Sequence, residues 1–349
     1  MEKVSFKIES LTSSVPANVV SNESFANLFN DKSRKLFERT TGICERRYAS
    51  SNTTASDLGY DAAHRLLDSL HDRESIESLI WVSQTSDYKI PFTSNILANK
   101  LGLSKSTFCL DINAGCAGFI QALYTAAKIS QGRDGKVLLV VAETLSKILS
   151  RDDRGTAPLF GDGASALIIS SGSGLEDELS FFSFAQDGGE FEAIIIPDGG
   201  YRNMVNLESF IFKMDEIGNK KNNLHLSMNG SKVFDFTLRE IPKFVNSFIK
   251  FCNFEHGEID YFVFHQSNKM IINQICLSLG IPLTKTLVNI QKYGNTSGVS
   301  IPLVLNDFYS IFTTGPKRVC LTGYGSGLTW GSCLLTLGPS IEFLPIKDL

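Results

Sequence analysis

The sequence predicts an α/β protein built as two related halves, with mixed sheets stacked about a pseudo-twofold. Three observations point this way. Strand signals recur at one offset: Tyr261–Gln266 (YFVFHQ) follows Leu79–Gln84 (LIWVSQ), and Val319–Gly323 (VCLTG) follows Val137–Val141 (VLLVV), each by 182 residues. A period shared by several elements marks a doubled unit. These strand signals are also short continuous apolar runs, which suit strands covered on both faces. Amphipathic helical stretches alternate with them, placing helices between and outside the sheets.

Taken in order, MEKVSFKIES alternates like a first strand and lacks a signal peptide's charged and apolar regions. An amphipathic helix at about Ala55–Leu70 precedes LIWVSQ. A helical pattern ends at Leu101-Gly102, and a buried-looking strand, Thr107–Ile112, follows. The loop Gly115–Phe119 (GCAGF) opens an apolar helix at about Ala117. After VLLVV, a small-residue turn leads into a further strand, GDGASALIIS at 161–170.

The second half repeats this series. A helix at about Lys232–Phe251 precedes YFVFHQ, and a helical pattern ends at Leu279-Gly280. A strand at Thr286–Ile290 matches Phe108–Ile112, Asn295–Val299 (NTSGV) matches GCAGF, and GLTWGSCLLTL at 327–337 matches the last strand of the first half. The halves are placed at residues 1–172 and 173–349, the second with an insertion at about 175–227 rich in Gly, Asp, Asn and Phe. That insertion is expected to cap a pocket. No Pro/Ser-rich linker separates the halves, so they should pack as one body.

With 349 residues, 43% of them hydrophobic, the chain can build a large core. A formal charge of −4 leaves no basic footprint for nucleic acid. No apolar run approaches the ~20 residues needed to cross a bilayer, so a cytoplasmic enzyme without membrane insertion is expected. Seven scattered cysteines without CxxC spacing suggest neither a disulfide framework nor a zinc site.

The segment Asn113–Gln121, NAGCAGFIQ, sets Cys116 between a strand and a helix start. Unpaired N–H groups and the helix dipole there favour a thiolate, and the small neighbours let a substrate carbonyl approach the backbone. Cys116 is therefore a candidate nucleophile; a buried packing cysteine is the other reading of this segment alone. In the second half, His265 ends a strand and Asn295 lies on the loop matching that of Cys116. Superposed halves would bring the three to one interface. Histidines 64, 71, 225 and 256 fall on helix or loop patterns and read as surface or packing residues.

The chain resembles the β-ketoacyl-acyl-carrier-protein synthase III family of thiolase-fold condensing enzymes. The motifs that carry the resemblance run nearly end to end: ERTTGICERRYA (38–49), NAGCAGF (113–119), DDRGTAPLFGDGASA (152–166), PDGGYRN (197–203), HQSNKMI (265–271), YGNTSGVSIP (293–302) and GYGSGLTWGS (323–332). The resemblance implies the thiolase fold, a homodimer, an acyl carrier protein as partner, and a Cys116/His265/Asn295 catalytic set. It implies an oxyanion hole from the backbone N–H groups of Cys116 and the Gly325–Gly327 loop at Ser326. The reaction it implies is acylation of Cys116 from acyl-coenzyme A or acyl-carrier protein, then decarboxylative Claisen condensation with malonyl-carrier protein, with no metal or redox cofactor.

Some positions depart from the family pattern. Leu36 stands where a tryptophan often stacks on adenine, and Thr40 stands at an arginine position. Arg154 is kept, and Met270 replaces a basic residue beside Asn268 and Lys269. Ile90, with Phe92 nearby, takes the place of a phenylalanine that closes the partner's acyl pocket. These changes point to a donor delivered on a carrier protein, with Arg239, Lys243, Lys250 and Lys269 facing it. Acyl transfer from Cys116 to a hydroxyl or amine is the alternative activity, and a non-catalytic ketosynthase partner is a third reading. Retention of Asn295 favours condensation.

Overall fold

The computed structural model describes residues 1–70, 72–174 and 179–349. Nine strands form its frame: β1 (Glu2–Val15), β2 (Ile76–Val82), β3 (Phe108–Ile112), β4 (Lys136–Glu143), β5 (Gly163–Ser171), β6 (Leu179–Gln186), β7 (Tyr261–Phe264), β8 (Lys317–Gly325) and β9 (Thr329–Leu337). They lie in the order β7-β8-β9-β6-β1-β5-β4-β2-β3. Read inward from either end, the pattern repeats. β2 pairs in parallel with β4, as β7 does with β8; antiparallel neighbours β5 and β9 follow. β1 joins the two series. Its first residues pair with β6 and the remainder with β5, both antiparallel.

The main helices are α1 (Asp31–Thr41), α2 (Ala55–Ser69), α3 (Thr93–Lys100), α4 (Gly118–Ser130), α5 (Gly230–Phe251), α6 (Lys269–Leu279) and α7 (Ser300–Asp307). Local signals set several ends. Asp57 accepts from the Thr54 N–H at 2.9 Å, closing a capping box on α2. Gly280, at φ 66°, ends α6 in the left-handed region.

Burial resolves the layers. Phe119, Ile120 and Leu123 of α4 and Ile301, Val304 and Leu305 of α7 share one core with strand residues of both halves, among them Leu139 and Leu321. α2 covers the other face of the first sheet through Leu58, Ala62 and Leu66. α5 and α6 cover the other face of the second through Val245, Phe248, Ile272 and Ile275. The result is helix, sheet, helix, sheet, helix, which places α4 and α7 back to back and sets the loops leading into them against each other.

Three expectations are corrected. Residues 179–186, assigned to a cap, form β6, which pairs with β9 on one side and with β1 on the other, and 175–178 lie outside the described residues. Thr286–Ile290 is no strand. A 3₁₀ turn at Leu283–Lys285 and a helical turn at Ile290–Tyr293 leave only Thr286 bridged to Phe262. β3 is not buried: it ends the sheet with no outer strand among the described residues, and Phe108 is 50% exposed. No described helix is long and apolar enough to cross a membrane.

Candidate active site

Cys116, His265 and Asn295 line one cavity of about 470 Å³, between the loops entering α4 and α7. Its wall carries polar groups, among them Asn113, Tyr324 and Ser326, and apolar ones, including Leu145, Phe160, Leu226 and Met228.

Cys116 is placed by backbone contact more than by side-chain bonds. The loop after β3 packs against the end of β8 so closely that a Cβ on Gly325 would lie 2.6 Å from the Cys116 Cβ and 2.8 Å from its sulfur. Only glycine permits that approach. The sulfur lies 3.7 Å from Ser297 Oγ, and the backbone N–H groups of Cys116 and Ser326 favour its thiolate. Burial nevertheless pushes the thiol up to about 11; the Ser297 hydroxyl and the two N–H groups pull the other way, and the Glu143 charge adds to the rise. The sequence favoured a thiolate from the helix terminus, and burial acts in the opposite direction.

His265 and Asn295 are held by specific bonds. The His265 Nδ1 lies 2.8 Å from Ser300 Oγ, itself 3.4 Å from the Gln266 N–H, and the ring meets Tyr324 edge-on at 5.5 Å. Burial lowers the imidazole to about 3, with the Ser297 backbone opposing, so the ring is neutral at ordinary pH. Asn295 Oδ1 accepts the Ser297 N–H at 2.9 Å. That leaves the amide NH₂ as the free part of the side chain. The Asn295 backbone is tied across the halves, donating to Leu159 O and accepting from Gly161 N. Ser297 adopts φ 52°, a left-handed conformation that costs a non-glycine residue energy.

The other candidates lie apart from this centre. Asn268 lines the cavity and caps α6, accepting from the Met270 N–H at 2.8 Å. Lys269 is exposed, its stem against Gly42. On α1, Leu36 is 49% exposed and Thr40 partly so, and neither lines the cavity. Arg154 is exposed and stacks over Phe29, 5.4 Å from its ring centre. Ile90 and Phe92 are 80% and 51% exposed, outside this chain's cavity. Arg239, Lys243 and Lys250 are exposed on α5 at spacings of four and seven, one face of the helix. His64, His225 and His256 stay outside the cavity, and His71 lies outside the described residues.

Sequence reasoning missed Ser297, Ser300, Tyr324, Gln84 and Glu143. Glu143 is fully buried and pushed up to about 7 by desolvation, while Thr85 Oγ1 and the Gln84 N–H donate to it at 2.6 and 3.0 Å. The serines stood within a motif already singled out, so position could have found them; nothing local marked Gln84 or Glu143. No group of three or more metal-ligating side chains occurs among the described residues.

Comparison with known proteins gives the same direction. The family model described as 3-oxoacyl-[acyl-carrier-protein (ACP)] synthase III matches residues 110–188, and that of its C terminal matches 249–337. A β-ketoacyl-[acyl-carrier-protein] synthase III of Lactococcus lactis is 33% identical over 336 residues, 95% of this chain and 99% of that one. One from Streptococcus agalactiae is 34% identical over the same shares. Among solved structures, a 3-oxoacyl-(acyl-carrier protein) synthase from Burkholderia xenovorans superposes with TM-score 0.92 at 31% identity, covering 100% of this chain and 98% of that one.

Proposed function

The chain belongs to the 3-oxoacyl-[acyl-carrier-protein] synthase III family and is a thiolase-fold condensing acyltransferase, and from that premise we propose how its residues divide the reaction. The observation that carries the proposal is the shared cavity of Cys116, His265 and Asn295. In the first half-reaction the Cys116 sulfur bonds to the carbonyl carbon of an acyl thioester. The thiol proton leaves with the departing thiol of coenzyme A or the carrier's phosphopantetheine. The N–H groups of Cys116 and Ser326, already at the sulfur, stabilise the tetrahedral oxyanion, and one such donor contributes about 10²–10³ in rate.

In the second half-reaction a malonyl thioester loses CO₂, and its enolate attacks the acyl-cysteine to give a β-ketoacyl thioester and free Cys116. The developing enolate oxygen needs donors. Asn295 supplies its untied NH₂. His265 supplies Nε2–H: Ser300 Oγ accepts from the Gln266 N–H and can give its own proton to Nδ1, which leaves the proton on Nε2. A ring held neutral near pH 7 donates to an enolate without first losing a proton. Acyl transfer to a hydroxyl or amine needs no donor at Asn295, so condensation fits these residues better. The steps balance without a metal or redox cofactor.

The proposed partner is an acyl carrier protein, which is acidic, with the exposed basic face of α5 and Lys269 as its dock. Leu36 and Thr40 lack the aromatic face and guanidinium that would hold coenzyme A, so the carrier is the proposed acyl donor. The proposed assembly is a twofold dimer: β3 leaves an open edge, flanked by Ile90 and Phe92, that a second copy can extend antiparallel. Such interfaces usually bury more than about 2,000 Å².

One experiment tests the activity. The protein is incubated with a panel of acyl thioesters, the Cys116 peptide is weighed, and malonyl-carrier protein is added. An acyl mass on Cys116 followed by CO₂ and a β-ketoacyl product is expected. Acyl mass on a different cysteine refutes the assignment. For the donor, kcat/KM is compared for one acyl group on coenzyme A and on the carrier; a tenfold preference for coenzyme A overturns that part.

A further inference from the structure

Between Gly325 and Gly327, Ser326 is the one residue of the loop with a side chain. It lines the same cavity as Cys116, and its backbone N–H favours the thiolate there. Its hydroxyl accepts from Gln84 Nε2 at 3.2 Å. The two residues are 242 apart in sequence and belong to opposite halves of the molecule.

Gln84 is well placed to hold that loop. It follows β2, and its carboxamide lies directly on the nucleophile loop, where a Cβ on Gly115 would collide with it. Its backbone is rooted in the interior. The Gln84 N–H donates to Glu143 Oε1, Thr85 Oγ1 donates to Glu143 Oε2, and the Ser83 N–H donates to Ile112 O. One side chain thus rests on the loop that carries Cys116 and bonds to the loop that carries the second N–H group. Flanked by two glycines, the Ser326 backbone has no side-chain restraint of its own apart from this bond.

We propose that Gln84 is a positioning residue: its carboxamide holds Ser326 so that the Ser326 N–H stays aimed at the oxyanion formed on Cys116. This rests on the assignment of Cys116 and Ser326 to the acylation step. A misaimed donor weakens oxyanion stabilisation, whereas the enolate of the malonyl step is served by His265 and Asn295 and is untouched. The expected signature is therefore a split between half-reactions.

The test measures single-turnover acylation of Cys116 by mass, and separately CO₂ release from malonyl-carrier protein, in wild type, Gln84→Ala, Gln84→Leu, Ser326→Gly and the double variant Gln84→Ala/Ser326→Gly. Gln84 is exposed, so its replacement removes no core side chain. Acylation is expected to slow about tenfold in Gln84→Ala and Gln84→Leu, less than the about 10²–10³ lost with an entire donor. Decarboxylation should stay within about twofold. In the Ser326→Gly background the Gln84 change should add nothing, since the bond it removes is already gone. Acylation at the wild-type rate in Gln84→Ala, losses that multiply in the double variant, or equal loss in both half-reactions each overturn the proposal. If wild type itself leaves Cys116 unacylated, the assignment of the nucleophile fails, and the role of Gln84 with it.

Discussion

The Cys116 loop and the His265–Asn295 pair stand at corresponding ends of the two half-sheets, yet they are held by opposite means. Around Cys116 the side chain lies against bare backbone, Gly325 leaving no room for a Cβ, with a single long side-chain hydrogen bond, Ser297 at 3.7 Å. Around the pair they are short and directional: Ser300 at 2.8 Å on His265, the Ser297 N–H at 2.9 Å on Asn295. A nucleophile that is acylated and released in each turnover needs space beside it. Donors that serve a developing charge need fixed direction, because any reorganisation is subtracted from the stabilisation they give. On the proposed roles, the same fold element carries a reactive atom in one half and a fixed electrostatic device in the other.

The sharpest way to break this contrast is Cys116→Ala. It should abolish condensation with the fold intact by circular dichroism, and continued turnover would mean that another group carries the acyl chain. The next largest effect concerns pH. Because burial raises the thiol to about 11, alkylation of Cys116 by iodoacetamide should climb about tenfold per pH unit from 7 to 10. A plateau near the ordinary thiol range would show that the helix terminus outweighs burial after all. His265, lowered to about 3, should stay neutral between about pH 5 and 8, so decarboxylation should show no acid limb from it there.

Asn295→Ala should lower decarboxylation by about 10²–10³ while Cys116 acylation suffers less. Equal losses in both would mean that Asn295 shapes the whole cavity. Ser300→Ala sharpens the comparison further. It removes the bond that fixes the imidazole, so decarboxylation should fall about five- to tenfold with KM for the malonyl thioester nearly unchanged. A loss confined to KM would make Ser300 a substrate contact rather than a support of the ring. The smallest effect expected is on stability. The folded-state pKa of His265 lies below its unfolded value, so the unfolded chain binds more protons between about pH 3 and 6.5. The contribution of His265 is present above that window and is lost as pH falls through it. Glu143, raised to about 7, runs the other way, favouring the folded state below its unfolded value and losing that contribution as pH rises to 7. Urea melts of His265→Gln against wild type at pH 7 and 5 isolate the first term: the wild type should lose more stability than the variant on acidification.

The strands that the repeat identified, β2, β4, β7 and β8, are buried between helix layers, whether inside the sheet or, like β7, at its end, and it found them because a strand covered on both faces must be apolar throughout. That requirement is local and readable. Cys116, His265 and Asn295 were legible as candidates because each is a reactive residue type just past a strand or on a loop, Cys116 and Asn295 beside glycine or alanine. Their meeting in one cavity follows once the two halves share a core through α4 and α7. β3 was misread as buried because a central strand and an edge strand carry the same residues; only the absence of an outer neighbour distinguishes them. The Thr286–Ile290 segment looked like β3's counterpart, but turns on both sides reduced it to a bridge.

What the sequence by itself determined is the alternation of apolar strands and amphipathic helices, the doubling, and the residue types able to react. What the tertiary structure decided is how each reactive group is held and in which protonation state. Ser300 on His265 and Gln84 on Ser326 are bonds between segments 35 and 242 residues apart, and no local pattern predicts them; Ser297 on Asn295 is a local turn bond two residues on, of a kind asparagine makes readily. The thiol at Cys116 is the clearest case. A helix terminus is visible in the sequence, but the desolvation that opposes it comes from walls contributed by both halves and exists only when the chain has folded.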